Sequence, residues 1–183
     1  KSFRAPAFSI GKDNDWAFEV LAENGIEYDC SVFPASRDFG GFPQFQTSVP
    51  SLVTKGGYKI KEFPICPAAF LNKKLPFSGG GYFRLLPLAL QKHFIEKMDY
   101  VMFYFHINDL IEESSKFMSK AEFEEYFKEA GTLKNRMVRY LKTNIGKGSA
   151  KRKLATLLNE YEFINVEKAA DTICWEKQPL IKL

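Results

Sequence analysis

The stretch Val101-Met102-Phe103-Tyr104-Phe105-His106 decides the predicted fold. A short, uninterrupted run of aromatic and aliphatic residues is typical of a strand that is buried on both faces of a parallel sheet. Such a strand ends at the carboxyl edge of the sheet, where open α/β folds and barrels hold their functional residues. The stretch therefore predicts a strand over residues 101–106 that places His106, one of only two histidines, at a functional edge.

A β-α-β unit is predicted at the start of the chain. Residues 2–8 are typical of a short strand, and Asp13-Asn14-Asp15 offers N-cap oxygens to a helix that Gly25 ends. The predicted buried face of this helix consists of Ala17, Val20 and Leu21. Residues 26–28 begin a second strand, and two strands joined by a helix form a right-handed parallel unit. The predicted fold class is therefore α/β.

The rest of the chain has two parts that differ in their sequence pattern. Residues 33–53 predict a long irregular loop, and Tyr58 and Ile60 alternate with lysines as in a strand with one solvated face. A helix is predicted after the glycine-rich loop 78–84. Beyond about residue 111 the pattern is that of amphipathic helices, the first opened by the capping box Ser119-Lys120-Ala121-Glu122, with a return to a strand at residues 163–166. We predict two parts, residues 1–110 and a helical extension over residues 111–183.

Composition restricts the function classes only loosely. The chain has 183 residues and a net charge of +4, a mild balance that does not by itself indicate nucleic acid or an anionic membrane as a partner. The three cysteines are far apart and support neither a zinc knuckle nor a disulfide framework. No apolar stretch has the length of a bilayer span, and from these residues we expect no signal peptide. Since Lys1 already lies in a strand pattern, we expect a further N-terminal part in the native protein.

His106 is the leading candidate for chemistry. With Asp109 nearby, it could act as a general acid whose proton is held by a carboxylate. The alternative is a structural histidine satisfied by backbone groups at the end of a strand. His93 follows Lys92 away from the apolar row of its helix, which favours a surface position. Because the two histidines share no helical face, we predict that this chain alone binds no metal.

Two further features have both a functional and a structural interpretation. Arg4 could orient a carboxylate bidentately or form a surface ion pair. The run Gly79-Gly80-Gly81 could cradle an anion or serve as a flexible turn. Basic residues of the C-terminal helices form either a solvated face or a phosphate-binding surface: Lys134, Arg136, Arg139, Lys142, Lys147, Lys151, Arg152 and Lys153.

An ordered set of segments carries a family resemblance. The segments are Phe3-Arg4-Ala5-Pro6-Ala7-Phe8-Ser9-Ile10, Trp16, Leu21-Ala22-Glu23-Asn24-Gly25, Tyr28-Asp29-Cys30-Ser31-Val32-Phe33-Pro34, Gly79-Gly80-Gly81-Tyr82-Phe83-Arg84-Leu85-Leu86-Pro87 and Phe103-Tyr104-Phe105-His106. The set resembles the polysaccharide deacetylases of the NodB-homology class, a group of carbohydrate esterases, and in particular the branch linked to exopolysaccharide clusters. The resemblance covers nearly the whole chain. It implies the C-terminal part of a distorted (β/α) barrel, followed by a helical extension packed on the barrel.

The resemblance also implies roles for individual residues. Arg4 would hold the family's catalytic Asp, His106 would protonate the leaving amine, and Asp29 would be the carboxylate that tunes His106. The amide of Ala7 would stabilise the oxyanion. The full set of implied oxyanion and substrate contacts is Pro6, Ala7, Tyr82 and Arg84. After His106, this chain has Ile107-Asn108-Asp109 where the branch commonly has Pro and an aromatic residue.

The implied reaction is metal-assisted hydrolysis of the N-acetyl group of an N-acetylated polysaccharide or oligosaccharide. The family motifs that supply the base and the metal ligands precede the Arg-Ala-Pro motif, at which this chain begins. We therefore expect no turnover by these residues alone. We expect a divalent metal, zinc, in a longer bacterial parent protein that is cytoplasmic or envelope-associated. The first alternative is a non-catalytic carbohydrate-binding or scaffold protein. The second is a nucleic-acid binder that uses the basic helices, although we expect no nucleic-acid partner.

Overall fold

The computed structural model describes residues 1–37, 40–70 and 73–183, which form two compact units. The first unit consists of Lys1–Ser78, His93–Phe103 and Phe163–Leu183, and the second consists of Gly79–Lys92 and Tyr104–Glu162. Each unit is thus assembled from separate stretches of the sequence. The predicted division after residue 110 follows the change in composition and stays a prediction about domains.

A five-stranded sheet forms the centre of the first unit. The strands described in this unit are β1 (Ser2–Phe3), β2 (Tyr28–Asp29), β3 (Ser51–Lys55), β4 (Tyr58–Glu62), β5 (Ala68–Phe70), β6 (Lys73–Leu75) and β7 (Leu180–Lys182). The sheet order is β1-β2-β4-β3-β7, and β5 pairs separately with β6. Strands β1, β2 and β4 are mutually parallel, β3 runs antiparallel to β4, and β7 runs parallel to β3. The predicted α/β class is therefore confirmed, with a mostly parallel sheet.

The helices are distributed over both units. Their bounds are α1 (Ala17–Glu23), α2 (Gly80–Leu85), α3 (Leu88–Glu96), α4 (Ile107–Leu110), α5 (Lys120–Phe127), α6 (Leu133–Asn144), α7 (Lys147–Glu160) and α8 (Val166–Thr172). Helices α1 and α8 belong to the first unit, and α2 and α4–α7 to the second. Short 3-10 turns cover Pro6–Phe8, Lys12–Asn14 and Trp175–Lys177.

Two hydrophobic clusters form the core of the first unit. One contains Val53, Ile60 and Phe18 of α1. The other contains Tyr28 and Phe63 together with side chains of α8. Helix α1 buries Phe18, whereas Val20, which was predicted to be buried, is 44% exposed. Ala17 and Leu21 of the predicted face do pack against the first cluster.

The predicted strand over residues 101–106 is wrong. Among residues 101–106, all of which the structure describes, only Tyr104 makes a ladder contact. This contact is an isolated parallel bridge to Gly79. The apolar side chains pack individually instead, Met102 against the second core cluster and Phe105 edge-on against Phe83. Residues 101–105 are half-buried and His106 is exposed. The apolar run therefore reflects side-chain packing along an extended segment, which uses the same residue types as a buried strand.

Other predictions have mixed outcomes. The capping box is confirmed, because Ser119 Oγ accepts from the amide of Glu122 while the amide of Ser119 donates to Glu122 Oε2. Gly25 follows α1 with φ of 73°, as a C-terminal stop requires. The predicted strand at residues 163–166 is wrong, since α8 begins at Val166 and the last strand is β7. The predicted loop 33–53 overlaps β3, which begins at Ser51.

In the described part of the chain, no helix combines the length and the apolar character needed to cross a membrane.

Candidate active site

The structure divides the predicted site residues between the two units. Arg4, Pro6, Ala7 and Asp29 lie in the first unit, and Tyr82, Arg84 and His106 lie in the second. Asp29 has its hydrogen-bond partner in the first unit, and Arg84 and His106 have their carboxylate partner in the second.

In the first unit, three parallel strands end at one edge of the sheet. Arg4 and Ala5 follow β1, Asp29 ends β2 and Glu62 ends β4. In the ladder, Phe3 is the partner of Asp29, and Asp29 is the partner of Glu62. We call Arg4, Ala5, Asp29, Ser31 and Glu62 the carboxyl-edge cluster. Its position is that of functional residues in parallel sheets.

Hydrogen bonds connect this cluster from strand to strand. The hydroxyl of Ser31 donates to Asp29 Oδ1 at 2.7 Å, and the amide of Ser31 donates to Asp29 Oδ2 at 3.1 Å. Ser31 Oγ in turn accepts from the amide of Ala5 at 2.8 Å. Asp29 and Ser31 are completely buried. Asp29 therefore fixes the backbone that leaves β1, through a hydroxyl group that both donates and accepts.

Glu62 is a member of this site that the sequence analysis missed. Its side chain is fully buried, and Oε1 accepts from the amide of Val32 at 3.1 Å. Burial, and secondly the neighbouring Asp29 carboxylate, raise the pKa of Glu62 well above its usual range. The sequence pattern could have predicted this burial. Side chains two positions apart in a strand lie on the same face, so Glu62 lies on the face of β4 that buries Ile60.

Arg4 lies at the outer side of the cluster. Its Nε donates to the carbonyl oxygen of Cys30 at 3.1 Å, and its guanidinium carbon lies 5.7 Å from the ring centre of Phe8. No ion pair of Arg4 is found in the described part of the chain. Burial raises the pKa of the Cys30 thiol to about 11 in spite of the nearby arginine. The thiol is therefore neutral at physiological pH, and the exposed guanidinium is the accessible charge at this edge.

The backbone that follows Arg4 and Ala5 is strained. In the 3-10 turn Pro6–Phe8, Ala7 has φ of 55° and ψ of 17°, and Phe8 also has φ of 55°. Non-glycine residues in this left-handed region each cost of order 1 kcal/mol or more, and they cluster at functional sites. Ala7 is exposed, and its amide donates to no acceptor among the described residues. The fixed backbone of the turn thus contains one amide, that of Ala7, without an acceptor among the described residues.

Gly40 makes this turn sterically feasible. The amide of Gly41 donates to the carbonyl oxygen of Phe8 at 2.8 Å, which brings the two backbones together. A Cβ atom on Gly40 would overlap the carbonyl oxygens of Ala7 and Phe8, and Gly40 also has φ of 66°. Part of the predicted irregular loop is therefore a support for the Pro6–Phe8 turn.

The second group is a chain of three side chains, Arg84, Asp109 and His106, which we call the histidine triad. Nε of Arg84 lies 3.2 Å from Asp109 Oδ1, and Nδ1 of His106 lies 3.4 Å from Asp109 Oδ2. The amide of His106 donates to the same Oδ2 at 3.0 Å. The arginine and aspartate side chains are 7% and 10% exposed, whereas that of His106 is 77% exposed. A buried ion pair thus supports an imidazole that faces solvent.

This arrangement suits acid–base chemistry. A carboxylate beside Nδ1 favours a proton on that nitrogen and leaves Nε2 to exchange protons with a substrate. The sequence analysis predicted Asp109 as the carboxylate near His106, and the resemblance implied Asp29 in that role. In the structure, Asp109 contacts His106, and the carboxylate of Asp29 is bound by Ser31. The role of Asp29 as the tuning carboxylate stays a prediction.

Arg84 is held by more than Asp109. Its Nη1 donates to the carbonyl oxygen of Thr143 at 2.5 Å, and Nη2 donates to that of Lys142 at 2.7 Å. These carbonyls lie in the last turn of α6, where a positive charge is favourable. Arg84 was predicted as a substrate contact. Its geometry is that of a group that positions Asp109, and direct contact with substrate stays a prediction.

The glycine run has a structural role in the second unit. Gly79 forms the parallel bridge to Tyr104, and a Cβ atom there would overlap the tyrosine backbone. The close approach of two backbones therefore explains this glycine. Tyr82, the remaining predicted contact, lies on α2 and is 47% exposed. It is accessible to a ligand, and its predicted role is untested.

The basic surface is less available to phosphates than its sequence suggests. Of the eight basic residues, four bind groups of the second unit: Arg136 (Met118 O), Arg139 (Glu129), Lys147 (Glu113 O) and Lys153 (the carbonyls of Phe83, Arg84 and Leu86). Lys147 is only 4% exposed. Lys153 binds carbonyls at the C-terminal end of α2, and Arg139 pairs with a carboxylate, so these charges already have partners within the second unit.

Within residues 1–37, 40–70 and 73–183, no group of three or more His, Cys, Asp or Glu side chains could hold a metal ion. We therefore assign no metal ligand to these residues, and the metal that the family resemblance implies stays a prediction for a longer protein. The roles of the carboxyl-edge cluster and the histidine triad are accordingly derived from their own atoms.

Comparisons with known proteins give one finding. A family model, described as a domain of unknown function (DUF3473), matches residues 30–171. No curated protein and no solved structure matches the chain. The matched range includes Ser31, Glu62 and the whole histidine triad. It spans more than half of the chain. The chain therefore belongs to the DUF3473 family of domains of unknown function.

Proposed function

We propose that this chain is part of a metal-dependent polysaccharide N-deacetylase, which hydrolyses the acetamide group of N-acetylated sugars. The observation that carries the proposal is the histidine triad, in which an exposed imidazole is held by a buried carboxylate. Two further points support it. The ordered motifs resemble the NodB-homology class, and DUF3473 domains are often associated with the C-terminal regions of polysaccharide deacetylases.

His106 acts as the general acid in this proposal. Cleavage of an amide expels an amine, which leaves readily only when its nitrogen receives a proton. With Nδ1 facing Asp109, Nε2 of His106 delivers this proton from the solvent-exposed side of the ring. Arg84 keeps the carboxylate in place and is itself held by the end of α6. The triad thus supplies an oriented proton donor.

The family resemblance assigns the oxyanion donor to the Pro6–Phe8 turn. Attack on the acetamide carbonyl places negative charge on its oxygen, and preorganised N–H groups stabilise that charge. Ala7 is an exposed residue, and its amide has no acceptor within the described residues. Because Gly41 and Ser31 fix the backbone on either side, this N–H is already oriented before substrate arrives.

The proposal includes features that lie outside the described geometry. The mostly parallel sheet supports an α/β deacetylase fold, and the distorted barrel is part of the proposal. The divalent metal of the family would supply an activated water. Since we assign no metal ligand to the described residues, we derive no step through it. The substrate class, an N-acetylated polysaccharide or oligosaccharide, follows from the resemblance alone.

The test uses the complete protein that contains this chain, with an N-acetylated oligosaccharide as substrate and acetate release as the readout. His106→Ala should lower kcat by a factor of about 10² or more, because the leaving amine loses its proton donor. His93→Ala is the matched control, since His93 is the other histidine and is exposed on α3. Unchanged turnover in His106→Ala would refute the assignment. Binding of the oligosaccharide without hydrolysis by the unaltered protein would favour a non-catalytic carbohydrate-binding protein.

A further inference from the structure

Two buried carboxyl groups lie side by side in the first unit without a cation between them. Asp29 and Glu62 are ladder partners on the adjacent parallel strands β2 and β4. Both side chains are 0% exposed. Because partners in a ladder project to the same face, the two carboxyl groups share one desolvated site. Two negative charges cannot be held there together without a large cost.

The hydrogen bonds distinguish the two carboxyl groups. Asp29 accepts two hydrogen bonds from Ser31, one on each carboxylate oxygen. Hydrogen bonds that a carboxyl group accepts stabilise its ionised form. Glu62 accepts only one, from the amide of Val32 on Oε1. Its Oε2 is buried and receives no hydrogen bond from the described residues. The proton therefore belongs on Glu62. Burial, and secondly the neighbouring Asp29, raise the pKa of Glu62.

The neighbouring titratable groups leave this assignment unchanged. Cys30 and Tyr100 are the other acids that interact with Glu62, and burial raises the pKa of each, for Cys30 to about 11. Both are neutral near pH 7. Arg4 is the cation that interacts with Cys30 and Tyr100, and it is exposed. Within this part of the first unit, the charge of Asp29 is thus compensated by hydrogen bonds.

The carboxyl pair is connected to the strained turn. Ser31 directs its hydroxyl proton toward Asp29, which leaves a lone pair of Oγ to accept from the amide of Ala5. Pro6 follows directly, and with it the left-handed residues Ala7 and Phe8. We propose that Glu62 is a neutral carboxylic acid whose O–H donates to Asp29, and that this bond positions the Pro6–Phe8 turn through Ser31. The catalytic consequence rests on the proposed function, in which the amide of Ala7 is the oxyanion donor.

The charge state of Glu62 can be measured on the full chain without any activity. In a carbon-13 NMR titration of the glutamate side chains, one carboxyl group should stay protonated well above the ordinary range of glutamate. Its resonance should disappear in Glu62→Gln. It should persist in Glu122→Gln, the control, because Glu122 is exposed and glutamine preserves a capping box. If every glutamate ionises in the ordinary range, or if the protonated signal survives in Glu62→Gln, the proposal is wrong.

The positioning role has a readout of its own. The amide resonance of Ala7 should shift in Glu62→Leu, which removes the donor. It should stay close to that of the unaltered protein in Glu62→Gln, whose side-chain N–H₂ donates in place of the O–H. An Ala7 resonance that is unchanged in Glu62→Leu would contradict the connection through Ser31. This comparison is independent of whether the protein is a deacetylase.

In the complete enzyme, Glu62→Leu should lower kcat about ten- to a hundredfold with little change in KM, since a misplaced oxyanion donor affects the transition state. Glu62→Gln should retain most of kcat. In the unaltered enzyme kcat should fall as rising pH ionises Glu62, and this fall should be absent in Glu62→Gln. If the carboxyl proton is found but the enzyme releases no acetate, the proposed function fails and the neutral Glu62 stands.

Discussion

The two units solve the same physical problem in different ways. Each unit buries an aspartate. As whole residues, Asp29 is 0% exposed and Asp109 is 7% exposed. Asp109 is compensated by a guanidinium group, which brings a full opposite charge. Asp29 is compensated by a hydroxyl, an amide and, as we propose, a neutral carboxylic acid. A buried negative charge can therefore be stabilised either by an ion or by oriented dipoles.

The difference matters for what each aspartate supports. The arginine-bound Asp109 holds an imidazole that is 77% exposed and ready to exchange protons. Asp29 holds no exposed side chain, and its hydrogen bonds lead instead to a backbone turn. The second unit thus presents a titratable side chain, whereas the first presents a fixed N–H group. Ionic compensation and dipolar compensation should also respond differently to mutation and to pH.

The largest expected effect is that of breaking the ion pair. Asp109→Ala should lower the free energy of unfolding by about 3–5 kcal/mol, because it leaves the buried charge of Arg84 uncompensated. Both tryptophans, Trp16 and Trp175, lie in the first unit, so their fluorescence does not report on this unit directly. Urea denaturation should therefore be followed by far-UV circular dichroism, which reports the helices.

Two controls sharpen this prediction. Replacing both partners, as Arg84→Met with Asp109→Leu, should recover most of the loss, since an apolar pair needs no compensation. The exposed pair of Arg139 and Glu129, 43% and 46% exposed, should contribute little, so Glu129→Ala should be close to neutral. If Asp109→Ala were no worse than Glu129→Ala, burial would not distinguish the two pairs.

The next effect concerns the support of the turn in the first unit. Gly40→Ala places a Cβ atom against the carbonyl oxygens of Ala7 and Phe8. Gly25→Ala is the matched control, because Gly25 also has positive φ but has open space around its Cβ position. Tryptophan fluorescence in urea should show that Gly40→Ala is the more destabilising by about 1–3 kcal/mol. Equal costs for the two variants would mean that the close approach at Gly40 is not maintained in solution.

The last prediction concerns the pH dependence of the stability of the first unit, which is measured as a slope. Because the folded-state pKa of Glu62 is raised, the unfolded chain loses its proton first as pH rises. The free energy of unfolding should therefore fall as pH increases above the ordinary glutamate value, by at most about 1.4 kcal/mol per pH unit. Urea titrations between about pH 5 and about pH 8 measure this slope. It should be absent in Glu62→Gln, and an equal slope in that variant would assign the dependence to another group.

Several local features were predictable because they depend on neighbours in sequence. The capping box at Ser119, the stop at Gly25 and the parallel pairing of β1 with β2 all follow from short patterns. The buried position of Glu62 follows from period two in β4, although we did not draw that conclusion from the sequence. Where the pattern was apolar but not periodic, as at residues 101–106, the sequence analysis assigned a strand that does not form.

What the sequence by itself determined is the α/β class, most helix positions, and His106 with Asp109 as its local carboxylate. These depend on contacts within a few residues or on periodic burial. Only the tertiary structure showed that Arg84 pairs with Asp109, that Glu62 lies beside Asp29, and that Gly40 accommodates the Pro6–Phe8 turn. Each of these contacts joins residues that are about 25 or more positions apart in the sequence. Local patterns carry no information on which distant segments pack together.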